Sequence, residues 1–275
     1  MDDFKKQSKV KEYRQKKRRY ILIFSCIGLV LILGGLIGLS YVHRFQINDV
    51  TVSGNIVTES KDVKAVVMET IAGRRFGVFS KKNKFIYPHD LVVENLKNRF
   101  PRFETVDVSE NNRTIAVTVT ERKGNYLWCG TDPDHAIDPC YFLDYTGVAF
   151  SLAPQFSSGV YFRFYSLDTD VVPGSVVFSE KEFTDMNTLI DGIRTLGFDP
   201  VSIVVTAFDN EYVTLSDGVR VIVDPRDDIV TTLEIFTSAL EDPFLQKKMK
   251  SNASGLDYFD LRFSNKVYYK FKDSL

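Results

Sequence analysis

The sequence predicts an α+β protein: a single N-terminal transmembrane helix, then a small strand-helix-helix-strand-strand module, then a mixed α/β second domain with an antiparallel sheet. Three observations carry the prediction. Residues 20–42 run for 23 positions without an Asp, Glu, Lys or Arg. Two helical apolar periods, within residues 60–71 and 88–100, are flanked by strand-like alternation. From Gly124 onward, aromatic-rich strand patterns are interrupted by two further amphipathic helices. The expected boundaries are a cytoplasmic basic tail at 1–19, the span at 20–42, the first module at 45–123 and the second domain at 124–275.

As a helix rising ~1.5 Å per residue, the uncharged run reaches about 34 Å, enough for a hydrocarbon core of roughly 30 Å. Nine Lys/Arg precede it, against Asp2, Asp3 and Glu12, while His43 and Arg44 follow it. The positive-inside bias therefore keeps the tail in the cytoplasm and exports the rest. A cleaved signal peptide has a shorter apolar region and a small-residue cleavage site, and Leu39-Ser40-Tyr41-Val42-His43 offers none. Gly34 and Gly38 form a small-xxx-small pair of the kind that lets helices approach, a common feature of membrane helices. Beyond residue 19 the chain holds 26 basic against 33 acidic residues. That balance argues against a nucleic-acid partner for the exported part, and the basic tail reads as a membrane-surface anchor.

After the span, Phe45, Ile47, Val50 and Val52 suggest a first strand closed by Ser53-Gly54-Asn55. Ser60 is the expected N-cap of a helix carrying Val63, Val66, Val67 and Ile71 and ending at Gly73. Residues 74–87 show no period and read as a loop. A second helix opens at Pro88-His89-Asp90, presents Val92, Val93, Leu96 and Phe100, and stops at Pro101. Phe103 to Val108 and Thr114 to Thr120 follow as a hairpin, one face buried through Ile115, Val117 and Val119.

In the second domain, Cys140 to Phe150 reads as two strand pieces around Asp144-Tyr145-Thr146-Gly147, and Tyr161 to Ser166 as another. Ser179 and Glu182 fit a capping box ahead of Phe183, Met186, Leu189, Ile190, Ile193 and Leu196. Strands at 201–206, 212–215 and 219–223 follow, the last two joined through Asp217-Gly218. Ile229, Val230, Leu233, Phe236 and Leu240 form a helix behind Asp227-Asp228. Strands at 258–263 and 267–271 close the chain. In the first, Phe259, Leu261 and Phe263 alternate with Tyr258, Asp260 and Arg262, which predicts one apolar and one polar face. In the second, adjacent Tyr268 and Tyr269 break the alternation, so one ring must turn from the core. A sheet edge there either receives a strand from a partner or is merely guarded by Lys266 and Lys270.

No phosphate-binding glycine loop, dinucleotide fingerprint, zinc-protease helix or nucleophile elbow occurs in the sequence. His43, His89 and His135 lack metal-pair spacing, and Asp132/Asp134 and Asp227/Asp228 read as solvated or capping acids. No catalytic residue, cofactor or small-molecule substrate is therefore expected. Cys26 falls within the span. Cys129 and Cys140 are expected outside the cytoplasm as a disulfide. The alternative, a metal site with Asp134, His135 or Asp138, lacks the paired Cys-x-x-Cys spacing of structural zinc.

The order strand-helix-helix-strand-strand, with Val-Thr-Val-Ser-Gly-Asn at 50–55, resembles a POTRA domain over residues 45–123. The second half carries CYFLDYTGVAF, a helix ending in LGF, VTLSDGVRVIV, another helix and YFDLRFSNKVYYKF. In that order, behind a single span with a basic tail, the chain resembles the bacterial division family FtsQ/DivIB nearly end to end. The resemblance implies a non-enzymatic bitopic scaffold at the division septum. It would hold FtsB/DivIC-like and FtsL-like coiled-coil membrane proteins and help regulate peptidoglycan synthesis. It assigns partner binding to Phe263, Asn265 and Val267 in the terminal strands, and more loosely to Arg226. Two other expectations stand beside it: a membrane-anchored cell-wall hydrolase, separable by a zymogram, and an exported sensor or export component, separable by a fusion spread around the envelope.

Overall fold

The computed structural model describes residues 2–157, 159–167, 170–206, 210–251, 255–263 and 266–272. It divides into two units, one of residues 1–99 with 105–121 and one of residues 100–104 with 122–275.

In the first unit, helix α1 (Asp2–Ser40) is continuous through the basic segment and the apolar run. Its Lys17–Ser40 stretch is long and apolar enough to cross a membrane. The helix stops at Ser40, two residues short of the expected boundary, and a 3-10 turn at His43–Phe45 leads to β1 (Asp49–Ser53). Phe45 thus belongs to that turn and not to the first strand. The N-cap position of helix α2 (Ser60–Thr70) is Glu59 and not Ser60, and the Glu59 side chain makes no capping hydrogen bond. The Ser60 hydroxyl is instead engaged with Asn55, which holds the preceding loop.

The 74–87 segment contains a short hairpin, β2 (Arg74–Arg75) and β3 (Phe79–Ser80). Two-residue strands are too brief to leave a period in sequence. Helix α3 (His89–Arg99), β4 (Phe103–Asn111) and β5 (Thr114–Glu121) follow. The sheet order is β1-β5-β4, with β1 parallel to β5. Helix α2 packs on β1 and α3, burying Val63, Val67 and Ile71 with Val92, Leu96, Ile115, Val117 and Val119. Gly54 turns out of β1 at φ +84°, where an added Cβ would sit 2.0 Å from the carbonyl oxygen of Val119.

The second unit begins with β6 (Tyr126–Gly130), a 3-10 turn at Pro133–His135, β7 (Ala136–Leu143), β8 (Ala149–Leu152) and β9 (Arg163–Tyr165). Helix α4 (Glu180–Thr195) starts with a complete capping box between Ser179 and Glu182. Strands β10 (Pro200–Val205), β11 (Glu211–Leu215) and β12 (Arg220–Val223) lead to α5 (Ile229–Leu240). Helix α6 (Pro243–Ser251), not foreseen in the sequence, precedes β13 (Leu256–Phe263) and β14 (Lys266–Phe271).

These nine strands form one sheet, ordered β14-β13-β12-β11-β10-β9-β6-β7-β8. The expected antiparallel sheet is in fact mixed, because β6–β9, β9–β10 and β12–β13 pair in parallel. Each parallel step requires a crossover, and α4 and the α5-α6 pair lie within the 34-residue and 32-residue connections β9–β10 and β12–β13. Helices α4 and α5 pack on each other over one face, and Gly192 permits this approach: a Cβ there would lie 2.4 Å from Leu233. That face buries Trp128, Phe164, Phe183, Ile190, Phe236 and Phe259. Strand alternation turns Leu127 and Cys129 to the other face, with Tyr165 and Val204.

Candidate functional site

The terminal hairpin forms the candidate interface. Strand β14 ends the sheet, paired to β13 on one side, and among the described residues no strand pairs with its other side. Its side chains alternate regularly: Val267, Tyr269 and Phe271 are half-buried against the core, while Lys266, Tyr268 and Lys270 face outward. The expected break in alternation is therefore absent, and the ring turned from the core is that of Tyr268, 50% exposed. On the core side, Lys248 of α6 places its ammonium 5.7 Å from the Tyr269 ring centroid and 5.1 Å from that of Phe271.

Phe263 does not follow Phe259 and Leu261 into the core. The β13–β14 register shifts between Asp260 and Phe263, so Phe263 stands opposite Lys266 and shares its outward face. A bulge inserts a residue and reverses the phase of everything beyond it, which re-aims this ring into solvent at 47% exposure. There it meets Tyr268 edge to face, with centroids 4.9 Å apart. Val267 points the opposite way, into the core cluster, so its side chain supports the edge and its backbone forms it. Asn265 lies outside the described residues.

Arg226 follows β12 and forks onto Asp224, with Nε donating to Oδ1 at 2.8 Å and Nη2 to Oδ2 at 2.7 Å. The Arg226 bond holds the Asp224 carboxyl down at about 2, with a further pull from Arg262. Arg262 of β13 makes a second fork on Asp260 and donates to Asn210 at 3.2 Å. Burial raises the Asp260 pKa, but the Arg262 bonds outweigh it and leave the carboxyl below its ordinary range. Arg226 is thus held in an ion pair with Asp224 beside the end of β12. The sequence reading missed the Asp260–Arg262 fork, although the i, i+2 spacing on a strand was its signal.

Cys129 and Cys140 are joined in a disulfide with an S–S distance of 2.12 Å, tying β6 to β7. Beyond it, Asp144 in the β7–β8 turn is buried and hydrogen-bonded through both carboxylate oxygens. Its Oδ1 accepts from the Thr146 and Val148 amides and the Thr146 hydroxyl, and Arg122 donates to Oδ2. These bonds hold the turn. Among the described residues, no group of three or more His, Cys, Asp or Glu is arranged to hold a metal ion. No protein-family model matches this chain, and no curated protein matches it.

Proposed function

We propose that this chain is a bitopic scaffold of the bacterial division machinery, of the FtsQ/DivIB kind, which works by holding other proteins and not by catalysis. The first unit serves as a POTRA-like module outside the cytoplasm. The second presents the outer edge of β14 to an FtsB/DivIC-like partner, with an FtsL-like protein in the same assembly. The observation that carries the reading is the open sheet edge flanked by the outward pair Phe263 and Tyr268. An edge strand offers unpaired N–H and C=O groups to an incoming strand, and exposed rings beside it supply selectivity. Lys266 on the same face favours a partner segment carrying acidic side chains.

Co-purification from bacterial membranes tests the proposal. The expected result is recovery of two small single-span coiled-coil proteins with the intact chain, and their loss with Tyr268→Ala. Recovery of neither, from a chain that is folded and membrane-inserted, would overturn it.

A further inference from the structure

The hairpin of β2 and β3 is tied to the C-terminal end of α1. Tyr41 Oη donates to the Val78 carbonyl at 2.8 Å, the Ser80 amide donates to Ser40 Oγ at 3.3 Å, and Asn83 Nδ2 donates to the Ser40 carbonyl at 3.2 Å. The Lys84 amide donates to the Phe45 carbonyl at 2.9 Å, which fixes the strand's continuation to the turn that follows the helix. The Lys17–Ser40 stretch of α1 is long and apolar enough to span a bilayer, and these bonds hold residues 74–86 against its C-terminal end.

The composition of this segment suits a lipid interface. Residues 74–86 contain Arg74, Arg75, Lys81, Lys82 and Lys84 and no acidic residue. Phe76 at the tip is 82% exposed and Phe85 is 72% exposed. Phe76 also holds a positive φ of 52°, a conformation that disfavours a bulky side chain, so the tip keeps an aromatic ring in solvent against both hydration and backbone preference. Leu36 and Leu39 of the last α1 turns line one apolar depression with Phe45, Phe79 and Phe85, so the apolar surface of the span continues onto the segment. The cations are placed alongside. The Arg75 guanidinium lies 5.4 Å from the Phe76 ring centroid, and the Lys84 ammonium, 3.8 Å from Glu110, lies 5.0 Å from that of Phe85. Rings at acyl-chain depth with cationic heads reaching outward is how amphipathic side chains settle in an interface.

We infer that residues 74–86 are a lipid-binding element that seats the first unit on the bilayer crossed by α1, with Phe76 and Phe85 in the headgroup-acyl boundary and the basic side chains on anionic lipid phosphates. The proposal goes beyond the scaffold reading and does not depend on any protein partner.

The test uses the full chain with Cys26→Ser, the disulfide intact, and one environment-sensitive fluorophore on a cysteine introduced by Phe76→Cys, Phe85→Cys or Ile56→Cys. Ile56 is exposed and lies past the far end of β1 from the membrane helix, so it is the control. Each labelled protein is reconstituted into vesicles of phosphatidylcholine, with or without phosphatidylglycerol, that carry a nitroxide near the headgroup end of the acyl chain. The expected result is blue-shifted, quenched emission at 76 and 85, stronger with phosphatidylglycerol, and unquenched emission at 56. Unquenched labels at 76 and 85, or equal quenching at all three positions, would overturn the assignment. Equal quenching with and without phosphatidylglycerol would overturn its anionic-lipid part.

Discussion

Glu211 opens β11 on the helix-covered face of the sheet, in phase with buried Val213 and Leu215, and is 6% exposed. Burial pushes its carboxyl pKa up to about 7, and the facing α4 carboxylates Glu182 and Asp185 add to the rise. Against the ordinary value of 4.5, at about 1.4 kcal/mol per pH unit, the ionised form costs up to ~3 kcal/mol of folding free energy. The folded state holds the proton more tightly than the unfolded chain, so this stability is fully present below the unfolded pKa. It is lost as pH rises through the folded one. The carboxyls of Asp224, Asp228 and Asp260 have depressed values, so their contributions are constant across this window and disappear only at lower pH. Glu211→Gln keeps the shape of the protonated acid and removes the titration. The variant should flatten the loss of stability between about pH 5 and about pH 8, and at the upper value it should exceed wild type by up to ~3 kcal/mol. Urea unfolding followed by the single Trp128, which sits in the core of the same unit, reads this directly. An unchanged pH slope in Glu211→Gln, or a variant less stable than wild type at the upper pH, would refute the reasoning.

Three more perturbations probe the fold. Reducing the Cys129–Cys140 bond, which closes a loop of separation 11, should lower the stability of the second unit by roughly 3 kcal/mol, read by the same Trp128 transition with and without reductant. Gly54→Ala forces a side chain onto the Val119 carbonyl at positive φ and should cost at least ~1–3 kcal/mol, read as faster amide exchange in β5. Ser179→Ala removes the capping box of α4 and should cost about 1 kcal/mol, with exchange accelerating first at the Glu182 amide.

The sequence was most legible where the determining interactions are local. The uncharged run reads as a long helix because length and hydropathy suffice, and Ser179 with Glu182 reads as a capping box because the motif closes within four residues. Ile115, Val117 and Val119 read as one buried face because no bulge interrupts their phase. Ser60 misled because its hydroxyl is engaged by Asn55, a loop contact that nothing in the helical period encodes. Helix α6 was hidden because Leu245 alone among its described side chains is buried, amid Lys and Gln. Phe263 misled for a related reason: the bulge that turns it outward is set by pairing with β14, not by the alternation of β13 itself. The parallel pairings of β6, β9, β10, β12 and β13 were illegible because they join strands distant in the chain, while each strand's own pattern fits either direction. At the candidate site, the aromatic pair was half visible. Adjacent Tyr268 and Tyr269 announced an outward ring, and only the register named its neighbour.

The central claim is that the outer edge of β14, with Phe263 and Tyr268, is the partner-binding surface. Its most direct test is the dissociation constant of the intact chain for a purified FtsB/DivIC-like protein, measured for wild type, Phe263→Ala and Tyr268→Ala after each variant is shown to melt like wild type. Both positions face solvent, so truncation should leave the core untouched. The account predicts a loss of ~2 kcal/mol or more for at least one of the two rings, about a 30-fold weaker dissociation constant. Two folded variants that bind the partner as tightly as wild type would contradict it.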